Sequence, residues 1–256
     1  MRYFLELSFN GTAYHGWQRQ PNALSVQQVL EEAISALLGA ETTIVGAGRT
    51  DTGVHAKQFF VHFDAAIAVN DADDLLFRLN RFLPKDIAIR AIHPMVANAH
   101  ARFDATARSY AYHIVQQKEP FNSDFTYYLN TPLSIDKMNA AATLLINHTN
   151  FKCFSRSKTD VKTYDCDVTE AFWVQQNHAL VFHITANRFL RNMVRAIVGT
   201  LLDVGTGKQD LSNFQSILDS QDRTKAGSSA PANGLFLTNV QYPNTIFAQR
   251  AEERNT

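Results

Sequence analysis

Two periodicities alternate along this chain in an order that occurs twice, and that recurrence limits the possible folds more than any other feature. In YFLELSF, Tyr3, Leu5, Leu7 and Phe9 fall on one side and Glu6 and Ser8 on the other, the period of a half-buried strand. A helix follows. Ser25 and Gln28 have capping-box spacing, Val26, Val29, Leu30, Ala33, Leu37 and Leu38 recur at helical intervals, and Gly39 stands where a C-terminal cap belongs. TTIVGAG and KQFFVHF are expected as strands, the second aiming Phe59, Val61 and Phe63 one way. Asn70 with Asp73 is expected to open a second helix carrying Leu75, Leu76, Leu79, Phe82 and Leu83, and DIAIRAIH alternates as a further strand. The order is βαββαβ.

After Ala105 the same order recurs. SYAYHIVQ reads as a strand, Ser134 caps a helix, and two strands lie around VKTYDCDVTEAFWV and ALVFHIT. A helix is expected from Phe189 to about Asp203, a shorter one over Leu211 to Leu218, and GLFLTNV as the last strand. The halves share element order without evident identity. The expected fold class is α+β: two ferredoxin-like βαββαβ halves, 1–104 and 105–256, each an antiparallel sheet with helices on one face, and a cleft between them. Loops at such a junction are where ligands are usually held.

A chain of 256 residues that is 45% hydrophobic can bury a sizeable core, and with no targeting segment or long apolar run it is expected to be soluble and cytoplasmic, without a membrane partner. Cys153 and Cys166 stand far apart with no CxxC pair, so buried thiols are expected in place of a disulfide framework or structural zinc. No metal-ligand spacing occurs among the nine histidines, and no metal is expected. The 24 basic and 24 acidic residues balance, but they are segregated. Arg78, Arg81, Lys85, Arg90, Arg102 and Arg108 outnumber Asp86 and Asp104 by four between Arg78 and Arg108, and Lys152, Arg156, Lys158 and Lys162 form a second cluster. Segregation permits one basic face on a neutral protein, or simply a solvated surface.

Between the TTIVGAG and KQFFVHF strands lies GAGRTDTGVHA, Gly46 to Ala56, where Arg49, Asp51 and His55 are strung among small residues. Gly46, Gly48 and Gly53 permit tight turns and close backbone approach. Taken alone, the loop allows a plain hairpin connection in which Arg49 and Asp51 pair or cap a turn. Asp51 to Gly53 spells the aspartic-protease signature, yet the second copy and apolar surroundings needed to share a proton are missing, and a cationic neighbour holds the aspartate ionised. The Walker Gly-Lys-Ser/Thr ending of a phosphate cradle is absent as well.

GAGRTDTGVHA resembles the catalytic loop of the TruA family of tRNA pseudouridine synthases. SFNGTAYHGWQRQP, HARFDATARSYAYHI, NRFLRNMVRAIVGTLLDVG and APANGLFLTNV resemble further family segments in the family's order, so the resemblance spans nearly the whole chain. It implies isomerisation of uridine to pseudouridine at positions 38, 39 or 40 in the anticodon stem-loop of tRNA, without cofactor, by a homodimer. Asp51 corresponds to the family's catalytic aspartate. One carboxylate able to act on sugar or base is the minimum equipment for breaking the ribose C1′ to uracil nitrogen bond and rejoining through a ring carbon.

Arg195 matches the family arginine that pairs with this aspartate. At about 100° per residue of a helix, Arg188, Arg191 and Arg195 fall within a narrow sector opposite Phe189, Leu190, Met193, Val194, Ile197 and Leu201; the spacing alone equally suits a solvated basic stripe, and the resemblance implies that Arg188 and Arg191 meet phosphates. Tyr112 and Ile114 share the strand face of Tyr110, a spacing that by itself favours a core position for it, whereas the resemblance matches Tyr110 to the tyrosine that stacks on the target base. The resemblance implies that Arg49 fills the space the flipped base leaves or holds a neighbouring phosphate. His55 and Trp17 also match family positions; His55 equally suits satisfying the loop backbone, and Trp17 packing. The chain departs from the family pattern at NFKCF, Asn150 to Phe154, and at Arg108-Ser109, where an arginine pair is common. The alternative is a non-catalytic RNA-binding protein on the same fold, for which a carboxylate beside repelling phosphates has no use.

Overall fold

The computed structural model describes residues 1–65, 71–156 and 161–248. Asn70, expected to open the second helix, and Lys158, counted in the second basic cluster, lie outside the described residues. Among the described residues the architecture is mixed α+β, with five helices and mostly antiparallel strand pairing. The chain groups into two units, one of Met1–Thr52, Ala56–Thr106 and Val240–Thr256, the other of Gly53–His55 and Ala107–Asn239. No described helix is long and apolar enough to cross a membrane.

In the first unit β1 (Arg2–Phe9) runs antiparallel to both β3 (His55–Asp64) and β4 (Ile87–Pro94), with Leu5 opposite Val61 and Ile92. Tyr3, Leu5, Leu7 and Phe9 are buried as the alternation predicts. So is Phe4 on the other face, because Tyr242 packs edge-on against Phe4 at 5.3 Å and Phe60 at 5.2 Å. The segment bearing Tyr242 is tied in by Thr106 N–H to Gln241 O (2.9 Å), Val96 N–H to Ile246 O (3.1 Å) and Ala248 N–H to Pro94 O (3.1 Å).

α1 (Val26–Leu38) starts on Ser25, whose hydroxyl accepts from Gln28 N–H at 3.3 Å, and stops on Gly39 at φ 70°, both as expected. The strand expected over TTIVGAG shrinks to β2 (Val45–Gly46) on β3. Its upstream part is diverted by α1: Ile44 N–H donates to the buried Glu31 carboxylate (3.2 Å) and Ile44 O accepts from Gln27 (3.2 Å). α2 (Ala72–Phe82) is capped by Asp71, which accepts from Asp74 N–H at 2.8 Å. Its buried arc is Leu75, Leu79 and Leu83. Phe82, expected in that arc, sits at the edge beyond Leu75 and is 58% exposed.

The second unit has the strand order β9-β5-β8-β7, from β5 (Ala107–Val115), β7 (Val168–Gln176), β8 (Ala179–Ala186) and β9 (Leu235–Gln241), with the two-residue β6 (Tyr127–Tyr128) parallel on β5. α3 (Ile135–Ile146) is capped by Ser134, α4 (Met193–Gly205) is buried along nearly its whole circumference, and α5 (Leu211–Ser220) adds Phe214 to the core. Cys153 and Cys166 are buried thiols, and burial pushes Cys166 up to about 11.

The helix expected from Phe189 begins only at Met193. Asn192 adopts a left-handed φ of 64°, which a continuing helix does not allow, and its side-chain amide donates to Ser229 Oγ at 2.6 Å. Phe189, Leu190 and Arg191 therefore form an approach to the helix instead of its first turn.

Candidate active site

The Asp51 loop is fixed by its main chain. Leaving β2, Ala47 N–H donates to Phe60 O at 2.8 Å. Three residues on, the Thr50–Asp51 peptide is clamped by the segment after β1: Trp17 N–H donates to Thr50 O (3.2 Å), and Gly16, at φ 85°, presses on the same carbonyl. A Cβ on Gly16 collides with Thr50 O and lies 3.2 Å from the Asp51 carbonyl carbon. Trp17 itself is 2% exposed, its ring 4.4 Å from that of Phe59, so it anchors the clamp by packing. After Asp51 the chain turns through Gly53 at φ 78°. A Cβ on Gly48 meets nothing within 4 Å, so neither a close approach nor a left-handed turn accounts for that glycine.

Within this loop Asp51 is half-buried and Arg49 exposed. The Thr50 hydroxyl is buried without a hydrogen-bond partner among the described residues. A buried unpaired hydroxyl ordinarily costs about 1 to 3 kcal/mol, so its retention beside Asp51 is not a stability device.

In the second unit, Tyr110 on β5 lies opposite Ile184 of β8 and packs edge-to-face on Phe189 at 5.0 Å. Tyr112 and Ile114, its neighbours on that face, are fully buried, and Tyr112 donates its hydroxyl to Pro231 O at 2.8 Å. Tyr110 thus stands at the margin of the core, where its ring stays partly open. Arg195 occupies the first turn of α4. Its Nε donates to Ala230 O (2.7 Å) while Ala230 N–H donates to Arg195 O (2.9 Å). Arg188 is half-buried and Arg191 exposed, both ahead of the helix. The single helical sector expected for Arg188, Arg191 and Arg195 does not form, because Asn192 breaks the helical phase between them.

His55 is 1% exposed and Nε2 lies 3.1 Å from Asp124 O and 3.2 Å from Asn233 O. Two carbonyls require an N–H there, so Nε2 carries the proton. Its ring stacks on Phe236 at 4.6 Å, and burial lowers its pKa ahead of the opposing pull of the two carbonyls. Asn233 completes the fastening by donating to Ser123 O (3.1 Å) and Thr126 O (2.7 Å).

Several residues that order these groups do so through contacts that no local pattern reports. The 226–231 segment lies across α4 through Gly227 N–H to Thr200 Oγ1 (3.0 Å) and the Arg195–Ala230 pair, and Arg223 braces it locally by donating to Ser229 Oγ (3.0 Å). A Cβ on Gly199 collides with Ser228 O. Gly16 and Gly199 lie in segments quoted for the family resemblance, but nothing in their spacing reports the carbonyls they press on, about 30 residues away. Among the described residues, no three or more His, Cys, Asp or Glu are grouped to hold a metal ion.

Known proteins match this chain along most of its length. A family described as tRNA pseudouridine synthase matches residues 7–104 and 141–243, which include Asp51, Arg188, Arg191 and Arg195 and leave out the Tyr110 segment. A protein of Bacteroides fragilis named tRNA pseudouridine synthase A is 50% identical over 247 residues, covering 96% of this chain and 98% of its own. One of the same name from Porphyromonas gingivalis is 51% identical over 249 residues, covering 96% and 99%, and one from Bacillus subtilis 37% over 248 residues, covering 95% and 100%. With a family match over well more than half its residues and relatives of this identity, the chain belongs to the tRNA pseudouridine synthase family.

Proposed function

We propose that this protein isomerises uridine to pseudouridine at positions 38, 39 or 40 of the tRNA anticodon stem-loop, as a homodimer without cofactor, with Asp51 as the acting carboxylate. Isomerisation of tRNA uridine follows from membership of the family. The observation that carries the choice of Asp51 is the clamp on the Thr50–Asp51 peptide, which presents a half-buried carboxylate from an otherwise irregular loop. The reaction breaks the C1′–N1 bond, turns the uracil and forms C1′–C5. The C5 proton leaves and N1 gains one, so no outside oxidant or reductant is involved. A carboxylate serves by attacking carbon or taking a sugar proton, and both need its charge.

Arg195, which corresponds to the family arginine, is assigned as the cation that acts with Asp51. Tyr110, with its ring open at the core margin, receives the flipped base by stacking. Arg49, Arg188 and Arg191, each at least partly exposed, serve phosphates or the vacated base position. His55 contributes to substrate binding through the two main-chain carbonyls it fixes.

Asp51→Asn tests this assignment. The variant is expected to fold and bind tRNA at least as well as wild type, while pseudouridine formation in unmodified tRNA transcripts, read by carbodiimide-dependent primer stops, falls by about 10³-fold or more. Appreciable turnover by folded Asp51→Asn protein removes the catalytic assignment. Tight tRNA binding by wild type with no product on any tRNA favours a non-catalytic RNA binder.

A further inference from the structure

We infer that Phe103, flanked by Arg102, is a platform on which an unpaired base of the tRNA substrate stacks, remote from the Asp51 loop; the inference rests on tRNA being the substrate. The Phe103 ring is 74% exposed. Isolated apolar side chains on a surface are ordinary, but the frame beneath this one is not. Every main-chain N–H from His100 to Asp104 is committed. His100 N–H donates to Asp104 Oδ2 (2.7 Å), Ala101 N–H to His62 Nδ1 (3.1 Å), Arg102 and Phe103 N–H to His100 Nδ1 (3.1 and 3.3 Å), and Asp104 N–H to His100 O (3.1 Å). The carbonyls of Ala99 and Ala101 are held by Arg2 (2.8 Å) and the Tyr242 hydroxyl (2.5 Å).

Such a frame fixes the ring in place before any partner arrives. His100 packs against the Phe103 ring at 4.3 Å, and the Arg102 guanidinium lies 5.7 Å from its centroid, while most of the ring surface stays open. A base that stacks on a ring already held still loses less ordering entropy than one that must immobilise it. The Arg102 guanidinium set against the ring is a cation, the complement of a nucleotide phosphate. Pairing of a cation and an aromatic face suits an unpaired nucleotide, whose base and phosphate arrive together.

The platform is far from the chemistry. His62, which holds this turn, lies six residues beyond Ala56 on β3, about 20 Å along the strand. Loss of the ring is thus expected in substrate binding and not in the chemical step.

Full-length protein with Phe103→Ala, Phe103→Trp or Arg102→Gln is titrated with a full-length tRNA transcript, and KM and kcat are measured on the same RNA. Phe103→Ala is expected to weaken Kd and KM about 5- to 150-fold with kcat within about twofold, and Phe103→Trp to keep wild-type values within about threefold. Arg102→Gln is expected to lower the slope of log affinity against log salt by about one. Wild-type affinity in Phe103→Ala overturns the platform. So does weakened binding that appears only with dissociation of a dimer in sedimentation, since the ring then packs on a second copy. If wild type binds tRNA but forms no pseudouridine, the functional reading falls and the titration alone judges Phe103.

Discussion

The first unit carries Asp51 on a loop and the second carries Arg195 on a buried helix, yet both are fixed by one device, a glycine pressed against a main-chain carbonyl from elsewhere in the unit. Gly16 bears on Thr50 O, and Gly199 bears on Ser228 O. The geometry is reversed between them. In the first unit the functional residue rides on the segment that is pressed, whereas in the second it rides on the helix that does the pressing. A loop has no internal hydrogen-bond ladder and depends wholly on its clamp. A helix keeps its own ladder, and its clamp serves only to aim one side chain.

This difference can be broken most directly at the glycines. Gly16→Ala adds a collision with Thr50 O to a left-handed φ that alanine resists, and about 3 kcal/mol or more of stability is expected to be lost, a fall in Tm of about 6 to 12 °C. Turnover per folded molecule is expected to drop about 100-fold as Asp51 shifts, with tRNA affinity nearly retained. Gly199→Ala is expected to lose about as much stability and less turnover, because α4 persists beneath the displaced segment. Equal turnover losses in the two variants, measured beside melting curves, remove the distinction.

Acid separates the units by another route. His62 in the first unit accepts a hydrogen bond at Nδ1, while His55 in the second donates from Nε2. Burial, with Arg2 and His100 adding to it, lowers the His62 pKa from 6.5 to about 4. The unfolded chain then takes up this proton first, so stability is full above about 6.5 and falls as pH drops towards 4, by up to about 1.4 kcal/mol per pH unit. Protonated His62 no longer accepts from Ala101, whereas protonated His55 still donates. Urea unfolding at stepped pH is expected to show this loss. His62→Asn, whose side-chain oxygen replaces Nδ1 as acceptor, is expected to reduce it, leaving the shares of His55 and His100, whose pKa values burial also lowers.

Smaller effects sharpen the comparison. Arg195→Lys keeps the charge and removes the Nε donor to Ala230 O, with an expected cost of about 1 to 2 kcal/mol and a turnover loss of about tenfold. A wild-type rate in Arg195→Lys makes charge alone sufficient. Gly48→Ala is expected to shift stability by no more than about 1 kcal/mol, in the stabilising direction, since its Cβ meets open space. Any fall in its turnover then measures room that the RNA needs.

Sequence legibility follows locality. Ser25, Gly39 and Ser134 were readable because a cap is decided within four residues, and each stands where expected. Alternation in β1 placed Tyr3, Leu5, Leu7 and Phe9 inside but missed Phe4, whose cover comes from Tyr242 over 200 residues away. Helical arithmetic grouped Arg188 and Arg191 with Arg195 since no pattern of apolar residues reports the left-handed φ of Asn192. The Asp51 loop announced itself by composition. Its clamp did not: Gly16 and Gly199 work by lacking an atom, against partners about 30 residues away in the chain.

Tyr242 and the strand end that carries it also set a timetable for synthesis. The first unit's own residues run to Thr106, but Val240–Thr256 complete it. At roughly 5 to 20 residues per second, a ribosome that has delivered Thr106 needs roughly 7 to 27 s more to deliver Tyr242. Throughout that interval Phe4 and Phe60 lack the ring that covers them, and the main-chain groups of Val96 and Thr106 lack Ile246 and Gln241. The second unit's continuous stretch, Ala107–Asn239, emerges whole just before, so the unit bearing Asp51, although translated first, is the last to be finished.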